Sequence, residues 1–344
     1  MISRAITLAE KNFFPDWLIR LGIRKLMKGK LSEQSRIYES GGYDQKKGWV
    51  DSMNKSPLSF SSEKANEQHY EVPSKFFQQV LGPRMKYSSC FWDSSTTNLC
   101  DAENQMLAIT IRRSGIENGM RVLDLGCGWG SLSLYIAEKL SKCNVVSVSN
   151  SQDQGDYILK EVQKRGLTNL SFIKADMNEF HTDVTFDRIV SVEMFEHMRN
   201  YRLLINKIAG WLKENGKLFV HIFCHNEYAY PYENNTDSDW MTRYYFTGGM
   251  MPSYDLLEYF QDDLVLEKNW KVNGNHYRKT CRAWLNNQDK RREEIMEIFH
   301  QFYGDEGELW FNRWRIFWMA CEELFAFNNG YEWFVGHFLM GKKQ

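Results

Sequence analysis

The chain has 344 residues and a mass of 40.8 kDa, more than a typical single domain yet within reach of one α/β core with helical additions. Lysine plus arginine number 43 and aspartate plus glutamate 44, so no global positive field draws nucleic acid or an anionic membrane, and a small-molecule substrate is expected. No apolar run is long enough to span a bilayer and the N-terminus lacks the pattern of a signal peptide, which predicts a cytosolic protein. Seven cysteines, odd in number and far apart, lack the paired spacing of zinc sites or disulfide frameworks, so reduced thiols and no metal are expected.

In chain order, residues 16–28 place apolar side chains at helical spacing with basic ones between them. This predicts an amphipathic helix packed on the core rather than lying on a membrane. Residues 41–62, rich in Gly, Ser, Lys and Asp without a period, predict a loop. From Arg121 onward, apolar runs of strand length begin at Arg121, Asn144, Ser171, Asp187 and Lys217, with helical stretches over residues 131–140, 152–165 and 201–212 between them. That alternation predicts a doubly wound parallel sheet. After Tyr228 an aromatic, partly helical segment predicts a cap and late sheet strands. Trp310, Trp314, Phe317 and Trp318 recur at helical spacing and read as core. The expected division is an N-terminal helical cover (1–100), an α/β core (101–227) and a substrate cap (228–344).

The sharpest signal is Val122-Leu-Asp-Leu-Gly-Cys-Gly-Trp-Gly130, a buried strand running into three glycines at alternate positions and then a helix. Gly126 and Gly128 there let a ligand approach the backbone in the crevice beyond the strand ends. The spacing is not that of a dinucleotide site, which needs G-x-G-x-x-G and an acidic residue closing the second strand. Here that strand runs into Ser149-Asn-Ser-Gln-Asp-Gln154.

The glycine motif resembles motif I of class I methyltransferases. Tyr87-Ser-Ser-Cys-Phe-Trp92, Ser191-Val-Glu-Met-Phe-Glu-His-Met198 and Phe246-Thr-Gly-Gly-Met-Met-Pro-Ser253 narrow the resemblance to the cyclopropane-fatty-acid-synthase-like superfamily and, within it, to plant coclaurine-type N-methyltransferases. The resemblance implies a Rossmann-like doubly wound fold with N-terminal helices and an aromatic C-terminal cap. It also implies S-adenosylmethionine as methyl donor, S-adenosylhomocysteine as product, a small aromatic amine as substrate and a homodimer. For the cofactor it implies Gly126 and Gly128 at the amino acid portion, Asn150 and Gln154 at the ribose, and Asp176 with Met177 at the adenine; Tyr87, Ser88 and Val192 complete the expected set. Cyclopropane synthases use a cysteine, a glutamate, a histidine and a tyrosine that match Cys90, Glu196, His221 and Tyr277, so lipid cyclopropanation is the alternative. Glu193 stands where those enzymes carry glycine, and Glu71 in Tyr70-Glu-Val-Pro73 likewise favours the amine branch. A non-catalytic cofactor-binding module is a third reading, opposed by the intact Glu-x-x-Glu-His set.

Glu193, Glu196 and His197 follow the apolar run Ile189-Val-Ser-Val192, at the carboxyl end of a strand. Their spacing predicts one helical face, whose bland explanation is acidic residues at a helix start beside a core histidine. Displacement at a sulfonium methyl needs a nitrogen lone pair, which an alkylammonium of pKa about 10.4 lacks at neutral pH. The expectation is that Glu193 with Glu71 holds the ammonium while His197, supported by Glu196, accepts its proton, with His221 as the other acceptor.

Overall fold

The computed structural model describes residues 2–60, 72–236 and 239–343. The chain opens with α1 (Ile2–Glu10), α2 (Asp16–Lys55), α3 (Ser74–Val80) and α4 (Leu99–Ser114). It then alternates through β1 (Arg121–Leu125), α5 (Ser131–Lys139), β2 (Asn144–Ser149), α6 (Gln152–Arg165), β3 (Leu170–Lys174), β4 (Phe186–Val192), α7 (Tyr201–Trp211) and β5 (Leu212–His225). The remainder supplies β6 (Tyr230–Pro231), α8 (Trp240–Tyr244), β7 (Met250–Met251), β8 (Leu264–Val272), α9 (Gly274–Lys290), α10 (Arg292–Tyr303), α11 (Gly307–Ala326) and β9 (Trp333–Lys342).

Among the described residues the main sheet has seven strands in the order β3-β2-β1-β4-β5-β9-β8. The strands β1 to β5 pair in parallel, and β9 lies antiparallel between β5 and β8. The apolar runs are continuous because both faces of the sheet are covered. Leu123, Ile189, Leu218 and Val220 join the α7 side, while Val122, Val145, Val190 and Phe219 join the α5 and α6 side. Strand order reverses between β1 and β4, which opens a crevice at their carboxyl ends.

The expected loop over residues 41–62 is instead helical as far as Lys55. Its glycines lower helix propensity, but tertiary contacts override them. Val50 and Met53 enter the core with Leu204 and Ile208 of α7, and Lys46 pairs with Asp255 at 2.7 Å. The first half of α2 is the core-packed amphipathic helix its spacing predicts. Arg20 reaches Glu322 and Glu323 of α11 at 2.8 and 2.7 Å, and Asp16 meets Arg315 at 2.9 Å. Both ends of the chain share one hydrophobic cluster, in which Ile19, Phe76 and Phe77 pack with Trp284, Trp314 and Trp318. The α11 aromatics at helical spacing are therefore core, as expected.

Candidate active site

The chain leaves β1 through Gly126 at φ +80° and Gly128 at φ +52°, left-handed conformations that cost other L-residues about 1 kcal/mol or more. The two glycines serve different ends. A Cβ on Gly126 would lie 2.7 Å from Met194 Cγ, whereas one on Gly128 would meet nothing within 4 Å. The turn is pinned by the Gly126 and Cys127 amides, which donate to Val148 O at 3.0 and 2.9 Å. Beneath it a buried network runs from Ser147 Oγ to Ser133 Oγ at 2.7 Å and from Ser133 Oγ to Asp124 Oδ2 at 2.6 Å. Burial raises the Asp124 carboxyl to about 6, against the pull of Ser133.

Gly126, Gly128, Asn150, Gln154, Asp176 and Met177 line one cleft at the ends of β1, β2 and β3, with Met194, His197 and Met198 on its far wall. The cleft thus unites most of the residues expected to hold the cofactor. Gln154 Oε1 accepts from Ser149 Oγ at 2.6 Å, while its Nε2 is buried with no hydrogen-bond partner among the described residues, an unpaired donor on a residue of the cleft lining. The open face of Gly128 and this orphan amide fit a ribose and an amino acid moiety. Tyr87, Ser88 and Val192 lie outside the lining of this cleft. The Tyr87 ring packs 5.0 Å from Phe77 and 5.8 Å from Trp284, Ser88 Oγ accepts from Lys86 Nζ, and Val192 closes β4.

The single helical face expected for Glu193, Glu196 and His197 does not form. Glu193 precedes the turn at φ +51°, and Phe195–His197 is one 3-10 turn. The kink parts them: Glu196 lies near enough to Glu193 to feel its charge, while His197 turns to the cleft and to Phe246. Tyr277 OH donates to Glu193 Oε2 at 3.1 Å, and His221 Nε2 lies 3.3 Å from Glu193 Oε1. Burial pushes the Glu193 carboxyl up to about 8, opposed by the Lys86 ammonium and the Tyr277 hydroxyl. Burial, reinforced by the charge of Glu193, holds Glu196 well above the carboxylate range. Burial also pushes the His197 imidazole down to about 4. Glu71 lies outside the described residues.

Lys86 was not legible as a site residue, since a lone lysine beside a motif carries no spacing signal. Its ammonium is buried, donates to Ser89 O at 2.9 Å and lies close enough to Glu193 and Cys90 to feel both. Burial, partly offset by Lys86, pushes the Cys90 thiol far up, so it is neutral. Rings border the carboxylates. His197 lies parallel to Phe246 at 6.3 Å, Tyr232 and Phe317 pack on Phe246 at 5.3 and 6.1 Å, and Tyr277 stacks on Phe325 at 4.3 Å. Phe317 of α11 belongs to this wall as well as to the core. Tyr331 is 68% exposed, Tyr228 stacks on His225, and Tyr230 is bonded to Trp333.

A parallel sheet with an antiparallel β9 insertion, a glycine turn after β1 and a cleft across the β1/β4 switch define a class I S-adenosylmethionine-dependent methyltransferase. Residues 59–332 match the family of mycolic acid cyclopropane synthetases. The (S)-coclaurine N-methyltransferase of Papaver somniferum is 37% identical over 338 residues, covering 97% of this chain and 96% of its own. That of Thalictrum flavum subsp. glaucum is 39% identical over 297 residues, 85% of this chain and 82% of its own. A crystal structure of coclaurine N-methyltransferase bound to N-methylheliamine and S-adenosylhomocysteine superposes with a TM-score of 0.92 at 33% identity, over 98% of this chain and 99% of the other. The chain belongs to this family, on its coclaurine N-methyltransferase branch, and is an S-adenosylmethionine-dependent N-methyltransferase.

Proposed function

We propose that the chain methylates the nitrogen of a small aromatic amine, an alkaloid of the tetrahydroisoquinoline or phenylalkylamine type. The observation that carries this reading is the buried carboxyl of Glu193, beside the rings of Tyr277 and Tyr232 and next in the chain to Met194 of the cofactor cleft. A bound ammonium favours the ionised form of this carboxyl and pairs with it, and the rings of Phe246 and Tyr232 suit an aromatic body with a cation beside it. Lipid cyclopropanation, the alternative, offers this carboxylate nothing to bind.

When bound, S-adenosylmethionine supplies an electrophilic methyl group. Gly126, Gly128, Asn150, Gln154, Asp176 and Met177 would hold it, leaving Met194 and His197 at the border between donor and amine. The amine must lose a proton before its lone pair can attack. Burial raises the Glu193 carboxyl and lowers the His197 imidazole, so the ammonium gives its proton to the carboxylate less uphill than to the imidazole. Glu193 therefore takes over the acceptor role that sequence reasoning gives to His197. His197, neutral at pH 7, orients the nitrogen, and Glu196 supports the carboxyl pair. Alignment of nitrogen, methyl and sulfur supplies the rest. We retain the expectations of a homodimer and of a cytosolic location, which light scattering and cell fractionation test.

The test is methyl transfer from labelled S-adenosylmethionine to a panel of tetrahydroisoquinolines and phenylalkylamines, beside Glu193→Gly and a phospholipid control. Transfer to an amine that the variant loses supports the reading. Transfer only to lipid overturns it.

A further inference from the structure

A chain of buried polar groups leaves Glu193 and crosses the sheet. His221 on β5 and His337 on β9 are cross-strand partners, and neither has any exposed surface. His221 Nδ1 and His337 Nε2 are 2.8 Å apart, and His337 Nδ1 is 2.8 Å from Arg113 Nη1 at the end of α4. The Arg113 guanidinium rests 5.0 Å from the centre of the Trp270 ring on β8. At the other end, His221 Nε2 faces Glu193 Oε1 at 3.3 Å, and neither atom has a hydrogen-bond partner elsewhere among the described residues.

The direction of this chain follows from one fact, that a guanidinium donates and never accepts. Arg113 therefore donates to His337 Nδ1. The proton of a neutral His337 then sits on Nε2 and donates to His221 Nδ1, which places the His221 proton on Nε2, toward Glu193. Both rings are neutral, because burial drives them well below the ordinary histidine value, reinforced at His221 by His337, Lys86 and Arg113, any second proton on one ring repelling one on the other, and at His337 by Arg113 and Lys86. The bland explanation is a basic residue closing a helix beside two core histidines. It accounts for Arg113 alone, but not for two fully buried imidazoles sharing one hydrogen bond and ending on the site carboxylate.

We propose that Arg113 is a positioning residue for amine methylation: through His337 it fixes His221 as a donor to Glu193, so that Glu193 is the proton acceptor and His221 is not. This rests on the role given to Glu193 above. Among the described residues the other groups facing Glu193 are Lys86, Glu196, Tyr232 and Tyr277, with the thiols of Cys224 and Cys281 near enough to sense its charge. A donor to the ionised carboxylate favours that form, so losing it moves the titration of Glu193 upward.

The test compares the parent with Arg113→Met, Arg113→Lys and Glu193→Gln. In Arg113→Met the kcat/KM for amine should fall about tenfold, the scale of one hydrogen bond to a charged group. The acid limb of its pH profile should move to higher pH, and affinity for S-adenosylhomocysteine should stay unchanged. Arg113→Lys, which restores a donor, should recover part of the rate and of the limb. An Arg113→Met enzyme with parental rate and parental limb overturns the proposal, provided Glu193→Gln has lost amine turnover. A Glu193→Gln enzyme with full turnover instead overturns the reading of Glu193 and this proposal with it. If Arg113→Met does not fold, histidine 15N NMR of the parent decides. Both His221 and His337 should carry their proton on Nε2, and a proton on Nδ1 of either overturns the proposal.

Discussion

Gly126 and Met194 touch across the β1/β4 switch so closely that a Cβ on the glycine would sit 2.7 Å from the methionine Cγ. Gly126→Ala must displace Met194 and also hold alanine at φ +80°, so it should lower Tm by several degrees and weaken cofactor binding. At Gly128 the same change meets nothing within 4 Å and has only its φ to overcome, about 1 kcal/mol. Gly128→Ala should melt close to the parent yet bind S-adenosylhomocysteine poorly, because its methyl enters the cleft. Thermal melts and calorimetric titration of the two variants check the contrast.

The φ of +51° at Glu193 lies in the left-handed region that glycine adopts at no steric cost. A glutamate there costs about 1 kcal/mol that glycine does not, and its carboxyl is buried as well. The folded value, about 8, lies above the ordinary 4.5. Between these values the folded protein holds a proton that the unfolded chain has released, so this group's contribution is complete below pH 4.5 and is lost as pH rises through 8. Glu193→Gly should therefore gain Tm relative to the parent from pH 5 to pH 9 while losing amine methylation. A variant whose relative Tm falls over that range would refute this account.

Tyr277 reaches Glu193 from 84 residues along the chain with a 3.1 Å hydrogen bond, and its ring stacks on Phe325 at 4.3 Å. Tyr277→Phe keeps the stack and removes the bond. It should leave Tm within a degree or two and lower kcat/KM for amine by roughly fivefold, about the loss of one hydrogen bond. Unchanged amine kinetics would show that the hydroxyl does not hold the carboxylate.

These long reaches mark the limit of what the sequence discloses. The runs from Arg121 to His221 are legible because parallel strands buried on both faces must be apolar throughout, and the glycine turn because its residue type is fixed by backbone approach. The 40-residue α2 is not legible past Gly41, since Val50, Met53 and Lys46 secure it through residues more than a hundred positions away. Glu193, Glu196 and His197 are legible as a motif, but the left-handed kink that sets their directions is not, because nothing in a glutamate announces a positive φ. Lys86 and Tyr232 sit beside the motif only after folding, whereas Tyr277 is reachable through the family resemblance alone.

The order of proton affinities at the site separates two acceptors that the motif leaves tied. Burial pushes the His197 imidazole down and the Glu193 carboxyl up, so the carboxyl is the stronger base. His197→Asn keeps a hydrogen-bonding side chain and should retain kcat within about tenfold at saturating cofactor, whereas Glu193→Gln should lose about a hundredfold or more, the scale of general base catalysis. Saturation matters because His197 also lines the cofactor cleft, so its variant should raise KM for S-adenosylmethionine. The parental kcat should show no inflection near pH 6.5, the ordinary histidine value, because His197, His221 and His337 are all neutral there. An inflection at that pH that vanishes in His197→Asn would return the proton to the imidazole.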